Sequence, residues 1–358
     1  MVFICIIIAS AVLKIASTVI LPFTVAMLLA FVMFPIIKAF DKLHCPRFVS
    51  ILFVVVIIVA GMCLFGMILF TSGKIIVDQF MLDEGRMYEN RIKVIYEWAA
   101  GLFAIEVDNA SSIWQNLWDQ EAIRNFVRDF TISFSNIVFR FTSAAVLVVL
   151  FMVFLLMEAS FFKEKLLYAF EGRIKQIDRI GNDIIDQVSR YLGAKFLFSL
   201  ANGIIYAVGF SLVGLEFAVV WGVIQFLLNF IPTLGSIAAG VVISLFALIQ
   251  FWPEPSPIII VVAIILGVNL ILSNLLDPKI IGEHVGISPL VILVSLSIWG
   301  YIWGFAGMLL AVPMTVIIKI ICENVRITEP FSVLLGSRKS VLAKKSNFVG
   351  AEQENTET

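Results

Sequence analysis

The sequence predicts an all-α polytopic membrane protein with about eight hydrophobic segments, some of them broken or re-entrant, and a helical extramembrane insertion. Three observations predict this fold class. Of 358 residues, 61% are hydrophobic and 14% are charged, whereas soluble domains carry roughly 25% charged residues. The mean hydropathy is +1.03. Apolar runs of about 18 residues or more, long enough to cross a bilayer, recur along the chain.

The apolar segments divide the chain into six predicted regions. The segments themselves fall at about 2–20, 22–37, 48–72, 141–161, 196–214, 217–251, 257–276 and 286–321. The regions are N-terminal transmembrane segments at 1–72, an extracytoplasmic helical insertion at 73–140, a transmembrane helix at 141–162, a cytoplasmic amphipathic linker at 163–195, C-terminal transmembrane segments with broken helices at 196–325, and a partly disordered cytoplasmic tail at 326–358.

The distribution of lysine and arginine predicts the orientation. Most of these residues lie in the loop 38–47, the linker 163–195 and the C-terminal tail. Loops rich in lysine and arginine stay in the cytoplasm, and long loops such as 73–140 are discounted in this comparison. We therefore expect a multi-pass protein of the bacterial cytoplasmic (inner) membrane with both termini in the cytoplasm.

The stretch LNFIPTLGS, residues 228–236, interrupts one of the most apolar parts of the chain. The run before Pro232 covers only about 22 Å as a helix, less than the hydrocarbon core. Broken backbone at membrane depth must be buried in protein or line a wet cavity, and transporters place such breaks at substrate or ion sites. A kink between two tight spans is the structural alternative. The predicted substrate or ion pathway comprises Asn229, Pro232, Thr233, Gly235, Asn269 and Asn274.

Two further interruptions predict a gate or loop. The first, NLLDPKIIGEHVGISP at 274–289, could equally be a solvated cytoplasmic loop. The second, at 298–319, is rich in glycine, and small residues also serve simple close packing of helices. The gate or loop residues predicted from these two stretches are Asp277, Pro278, Lys279, Gly282, Gly300, Gly304, Gly307 and Pro313.

Charged residues are rare inside the apolar segments. Lys14 lies within the first segment and Glu158 at the end of the fourth. An ionisable side chain at membrane depth is by default a functional hypothesis, so both are candidate intramembrane charges. Lys319 ends the last segment, where its long side chain is expected to reach the interface.

Several activities lack their sequence signatures. No G-x-x-x-x-G-K-[ST] phosphate loop is present, and no protease motif is found. The four cysteines are scattered without metal-ligand or disulfide spacing, and no basic block suggests nucleic acid. We therefore expect no enzymatic activity, no catalytic residues, no metal and no cofactor.

At the interrupted segments the chain resembles the AI-2E family of bacterial membrane permeases. The resemblance covers nearly the whole chain and rests on LPFTVAMLLAFVMFPII, NFIPTLGSIAAGVV and DPKIIGEHVGISPLVILVSLSIWGYIWGFAGMLLAVPMTVIIK. It implies a transport function: some members are assigned export of the quorum-sensing furanone precursor of autoinducer-2, and others look like sodium(lithium)/proton antiporters. It also implies a homo-oligomer.

The expected function is secondary transport or facilitated export of a small polar metabolite such as autoinducer-2. Neutral hydrogen-bonding groups at the breaks suit an uncharged polyol-like solute better than a cation. The alternatives are a sodium(lithium)/proton antiporter and a non-transporting scaffold of the envelope that acts through 73–140. The expected partners are a small-molecule or ion substrate, membrane lipid and further copies of the chain.

Overall fold

The computed structural model describes residues 2–81, 94–95, 142–159, 161, 164–165, 168, 174–276, 286–325 and 328–337. Within these residues the regular elements are helices, and one isolated β-bridge pairs Ile287 with Gly336. The predicted all-α class is confirmed. Most of the predicted insertion at 73–140 and of the tail at 326–358 lies outside the described residues.

The helices follow the apolar segments closely. They are α1 Val2–Ile15, α2 Ser17–Lys42, α3 Arg47–Met81, α4 Thr142–Ala159, α5 Ile174–Val213, α6 Ala218–Leu228, α7 Leu234–Phe251, α8 Pro255–Val268, the π-helix Asn269–Leu276 that continues α8, α9 Pro289–Asn324 and α10 Glu329–Leu335. In the part of the chain described, seven stretches, in α2, α3, α4, α5, α7, α8 and α9, are long and apolar enough to cross a membrane. The 11 residues of α6 reach only about 17 Å.

The chain forms two compact units, which are described separately. The first unit contains residues 1–59, 145–197 and 276–358, and the second contains 60–144 and 198–275. The first therefore holds α1, α2, α9 and α10, and the second holds α6, α7 and α8. The boundary falls within α3, α4 and α5.

In the first unit, α9 is a hairpin. Gly304 breaks its helical backbone at φ 62° and ψ −141°. Oγ of Ser295 donates to the carbonyl oxygen of Ala311 (3.1 Å) and lies 2.5 Å from Oγ1 of Thr315. A straight helix would separate residues 16 positions apart by about 24 Å. The chain therefore turns back at Gly304, inside the stretch where the sequence predicted an interruption.

The first helix boundary differs from the one that the sequence suggested. The first two apolar segments, about 2–20 and 22–37, place the boundary next to Pro22, but Pro22 is buried inside α2 and the break falls at Ala16. The amide of Ala16 donates to Val12 and the amide of Ile20 donates to Ala16, each at 2.9 Å. Membrane helices tolerate proline because neighbouring groups satisfy the freed carbonyl, so proline alone did not locate the boundary.

The linker predicted at 163–195 does not end at a helix boundary, because α5 runs from Ile174 to Val213 without interruption. Its predicted apolar face is the packed one: Val188 and Tyr191 are buried, whereas Asp186 and Arg190 are exposed. In the same helix Lys195 is buried. The hydrophobic periodicity that indicated an amphipathic linker therefore marks the packed face of a helix that continues into the next apolar segment.

Lys319 also differs from expectation. It is buried within the second half of α9, and its Nζ lies 3.5 Å from Oε1 of Glu323. The expectation that this side chain reaches out from the end of the last segment was wrong. The helix continues to Asn324, so Lys319 sits more than a turn inside it.

The second unit is built on close contacts of α5, α6, α7 and α8. Tyr206 and Phe210 of α5, both fully buried, pack edge to face with ring centroids 5.1 Å apart. The hydroxyl of Tyr206 donates to the carbonyl oxygen of Ile265 in α8 at 3.4 Å. The remaining members of this apolar core are Leu215, Ala218, Ala239, Ile243, Ala247 and Val261.

Candidate functional site

The interrupted stretch 228–236 is a tight connection between α6 and α7. The amide of Asn229 donates to Gln225 at 2.9 Å and closes α6. Thr233, exposed and at φ 63°, precedes the first residue of α7. Pro232 lies between them, and its carbonyl oxygen accepts a hydrogen bond from Leu234 at 2.6 Å. The predicted break is therefore a short helix followed by a turn.

Gly235 allows the two helices to approach each other at this turn. A side-chain carbon at this position would overlap the carbonyl oxygen of Leu228 and lie 3.3 Å from Cβ of Ile231. Only a residue without Cβ fits here without movement of the backbone. Gly235, predicted as a pathway residue, is thus a close-packing residue in the structure.

A buried polar cluster lies behind the turn. Its members are polar residues of α5, α6 and α7, and each is at most 8% exposed. They are Ser199, Asn202, Gln225, Asn229 and Ser236. Nδ2 of Asn229 donates to Oγ of Ser199 at 3.0 Å, and Oδ1 of Asn229 accepts a long hydrogen bond from Ser236 at 3.5 Å. The cluster therefore connects three helices through neutral groups.

Part of the cluster lacks protein partners. Among the described residues, Oδ1 of Asn202 and both Nε2 and Oε1 of Gln225 are buried without a hydrogen bond. A buried donor or acceptor left unpaired costs about 1–3 kcal/mol. Two carboxamides with unpaired atoms between apolar helices therefore lower the stability of the fold, and this cost suggests that they serve a function.

Sequence reasoning found Asn229 and missed the other four members of the cluster. Ser199, Asn202 and Gln225 lie singly within apolar runs, where they barely lower the local hydropathy. The available signal was chemical: carboxamide side chains are rare in these apolar segments. Because a buried carboxamide needs hydrogen-bond partners, Asn202, Gln225 and Asn229 are all candidates for a polar site on this criterion.

The predicted residues Asn269 and Asn274 lie in another element, the π-helix that follows α8. Oδ1 of Asn269 is buried without a partner among the described residues. π-Helical turns occur frequently at functional sites because they leave backbone carbonyls outside the regular pattern. Among the described residues, the second unit thus contains a third carboxamide with an unpaired atom, at the start of its π-helical segment.

The predicted gate residues divide into two groups. Asp277, Pro278, Lys279 and Gly282 lie outside the described residues. The other four belong to α9 of the first unit. There Gly304 forms the turn and Gly307 admits the carbonyl oxygen of Trp299. A Cβ at Gly300 would lie 3.0 Å from Cγ of Met308, and Pro313 is buried inside the helix.

The two candidate intramembrane charges are both exposed. Nζ of Lys14 lies 3.8 Å from the ring centroid of Tyr301, a cation–π contact between α1 and the turn region of α9. The neighbouring carbonyl oxygen of Leu13 accepts a hydrogen bond from Nε1 of Trp303 at 3.0 Å. Glu158 forms an ion pair with Lys165 at 2.9 Å, and both side chains are more than half exposed.

These features define an integral membrane protein with broken helices and a buried neutral site. A family model described as AI-2E family transporter matches residues 3–327. The chain belongs to the AI-2E transporter family, as its sequence motifs suggested.

Individual relatives cover nearly the whole chain. A protein of Borreliella burgdorferi (strain ATCC 35210 / DSM 4680 / CIP 102532 / B31) named "Putative transport protein" is 30% identical over 346 residues, 95% of this chain and 91% of that protein. The "AI-2 transport protein TqsA" of Escherichia coli (strain K12) is 28% identical over 329 residues, 90% of each chain.

Proposed function

We propose that this protein is a secondary transporter or facilitator that moves a small, uncharged, polar solute across the bacterial cytoplasmic membrane. The observation that carries the proposal is the buried polar cluster, in which Asn202 and Gln225 have carboxamide atoms without a partner among the described residues. Transporters commonly place substrate groups at discontinuous helices near the middle of the membrane. Here the discontinuity between α6 and α7 adjoins the cluster.

The chemistry of the cluster favours a neutral solute over a cation. Its five members are serine, asparagine and glutamine, so it presents hydrogen-bond donors and acceptors but no charge. A sodium(lithium)/proton antiporter would need a group that exchanges a proton, normally a carboxylate within the membrane. Glu158, one carboxylate near a span end, is already in an exposed ion pair with Lys165.

Autoinducer-2 is the solute that we would test first. The E. coli relative is named an AI-2 transport protein, and a hydroxyl-rich solute of that kind matches a site of unpaired carboxamides. Export as the direction of transport, a cytoplasmic location of both termini and assembly into a homo-oligomer remain predictions from the sequence and the family resemblance.

Transport by the purified protein in liposomes tests the proposal. Efflux of autoinducer-2 would be measured with and without a proton or sodium gradient, for the wild type, Asn229→Ala and Pro232→Ala. Ser211→Ala is the control, since Ser211 is exposed and its hydroxyl donates to the carbonyl oxygen of Ala207 in its own helix. We expect efflux by the wild type and the control and slower efflux by both break variants. Sodium-for-proton exchange without solute movement would instead identify an antiporter.

The scaffold alternative makes a different prediction. If the protein acts through its insertion, deletion of residues within 82–140 would abolish the cellular phenotype while Asn229→Ala and Pro232→Ala would leave it unchanged. The proposed transport function instead predicts that Asn229→Ala and Pro232→Ala impair the phenotype. A cellular export assay with these three variants separates the two functions.

A further inference from the structure

Two contacts fix how α5 and α6 lie against each other within the second unit. Near one end, Nδ2 of Asn229 donates to Oγ of Ser199. Further along, the helices approach so closely that a Cβ at Gly222 would lie 2.6 Å from the carbonyl oxygen of Gly203. As residue numbers rise along α5 they fall along α6, so the two helices are antiparallel. Small residues at such a crossing allow the backbones to meet.

Asn202 and Gln225 lie between these two contacts. Asn202 is three residues beyond Ser199 on α5, and Gln225 is four residues before Asn229 on α6, so each shares the face of its neighbour. Asn202 is 1% exposed and Gln225 is fully buried. Their positions along the two helices therefore place the two carboxamides at the same level, between the two contacts that join α5 and α6.

The hydrogen-bonding groups of the cluster fall into two kinds. Both polar atoms of the Asn229 side chain bond to serine hydroxyls. Oδ1 of Asn202 and Oε1 of Gln225 are free acceptors among the described residues, and Nε2 of Gln225 is a free donor. Asn229 thus holds the helices together, whereas Asn202 offers an acceptor and Gln225 offers an acceptor and a donor to a third molecule.

We propose that Asn202 and Gln225 form a recognition site for a neutral solute with at least two hydroxyl groups. One hydroxyl would donate to an amide oxygen and accept from Nε2 of Gln225, and the second would donate to the other amide oxygen. This inference rests on the proposed function and names the residues that select its substrate. A cation would interact favourably with the two amide oxygens but not with the N–H donor of Gln225. A purely apolar solute would leave all three polar atoms unpaired.

Complete burial fits a site that is enclosed in this conformation. A solute could reach it only when α6 and its connection to α7 move, and this connection carries the turn at Thr233. The hydroxyl of Tyr206, one turn beyond Asn202 on α5, already donates to the carbonyl oxygen of Ile265, so it does not compete with the carboxamides as a donor to the solute. Transporters that work by alternating access likewise move one group of helices to open a fixed internal site to one side of the membrane.

A pair of glutamines in the second unit provides a matched test. The Gln225 carboxamide has no hydrogen-bond partner among the described residues. Gln250 is also buried, but it accepts from the amide of Glu216 (2.8 Å) and donates to the carbonyl oxygen of Gly214 (2.9 Å). Gln250→Leu removes two structural hydrogen bonds, and Gln225→Leu removes an unpaired polar group. The two substitutions should therefore shift stability in opposite directions.

The experiment measures the thermal unfolding midpoint of the full-length protein in nanodiscs, with and without autoinducer-2. Ligand that binds the folded state raises the midpoint. We expect a rise for the wild type and for Gln250→Leu, although the midpoint of Gln250→Leu without solute is lower. Gln225→Leu should keep or raise the midpoint without solute and lose roughly tenfold or more in apparent affinity for it.

The outcomes separate this inference from the proposed function. If the wild type gains no stability from autoinducer-2, the proposed function and the recognition site both fail. If the wild type does gain stability and Gln225→Leu gains as much, the recognition site alone is wrong. If Gln225→Leu does not fold, Gln225→Met, which is similar in length and has no hydrogen-bonding amide, is measured in its place with the same expected loss.

Discussion

Nδ2 of Asn229 donates a hydrogen bond to Oγ of Ser199, 3.0 Å away, and this bond joins the end of α6 to α5 inside the second unit. Both residues are buried. The bond gives the interrupted stretch at 228–236 a fixed position against a long helix. The two amides of α6 thus differ: the side chain of Asn229 is hydrogen-bonded to serines, whereas that of Gln225, one turn earlier, has no partner in the described part of the chain.

Ser199→Ala should destabilise the protein and slow transport. The substitution leaves Nδ2 of Asn229 buried without an acceptor, which costs about 1–3 kcal/mol. Thermal unfolding in nanodiscs and efflux from liposomes measure the two effects. Ser211→Ala removes a hydroxyl that is exposed and bonds within α5, so this control should match the wild type. Equal midpoints for the two variants would show that the Asn229–Ser199 bond does not stabilise the fold.

Gly235→Ala should disrupt the connection between α6 and α7. The added carbon would overlap the carbonyl oxygen of Leu228, so the backbone must shift, and overpacking of this kind costs typically about 1–3 kcal/mol. Gly267→Ala is the matched control, because a Cβ there meets nothing within 4 Å. We expect a lower unfolding midpoint and slower efflux for Gly235→Ala alone. Wild-type behaviour of Gly235→Ala would contradict the close approach at this turn.

Gly304→Ala should weaken the hairpin of α9. Gly304 has φ 62° and ψ −141°, a conformation that strains any residue with a side chain by about 1–3 kcal/mol. Gly181 lies in α5 with nothing within 4 Å of a Cβ, so Gly181→Ala should stabilise by about 0.5–1 kcal/mol. Opposite shifts in the unfolding midpoint are therefore expected. A shift of the same sign and size would mean that the turn is not at Gly304.

Trp303→Phe should loosen the end of α1. It removes the indole N–H that donates to Leu13 while keeping an aromatic ring beside Trp299, whose ring centroid is 4.9 Å from that of Trp303. We expect faster hydrogen exchange in α1 and a loss of about 1 kcal/mol of stability.

Trp221→Phe is the control for this prediction. Nε1 of Trp221 is buried without a partner among the described residues, so removing it should leave stability unchanged or slightly raised. The hydrogen bond to Leu13 would be unimportant for α1 if both tryptophan variants left its exchange rate at the wild-type value.

Much of the fold could be predicted because its signals are local. Apolar runs located most of the helices, although α3 and α5 extend well beyond their runs. The cluster of proline, threonine and glycine at 232–235 located the connection between α6 and α7. Gly304 was one of several glycines in its segment. Proline at position 22 misled the assignment of the first boundary, because a membrane helix can contain a buried proline and can break at a residue as unremarkable in sequence as Ala16.

The rest of the site could not be predicted because its meaning depends on which helices meet. Asn202 and Gln225 are 23 positions apart, and each alone is a single amide in an apolar run. Their relationship follows from the antiparallel packing of α5 and α6, which the contacts Ser199–Asn229 and Gly203–Gly222 establish. Likewise, the carbonyl oxygen of Leu13 and the indole of Trp303 meet across 290 positions, a distance over which sequence patterns carry no information on pairing.

The most direct measurement is the initial rate of autoinducer-2 efflux from liposomes containing the wild type, Gln225→Leu or Ser211→Ala, normalised to the amount of folded protein. The central claim is that a neutral solute passes through the buried polar cluster. It predicts equal efflux by the wild type and Ser211→Ala, and efflux near that of protein-free liposomes for Gln225→Leu. Efflux by Gln225→Leu at the wild-type rate, or sodium-for-proton exchange by the wild type without solute movement, would contradict it.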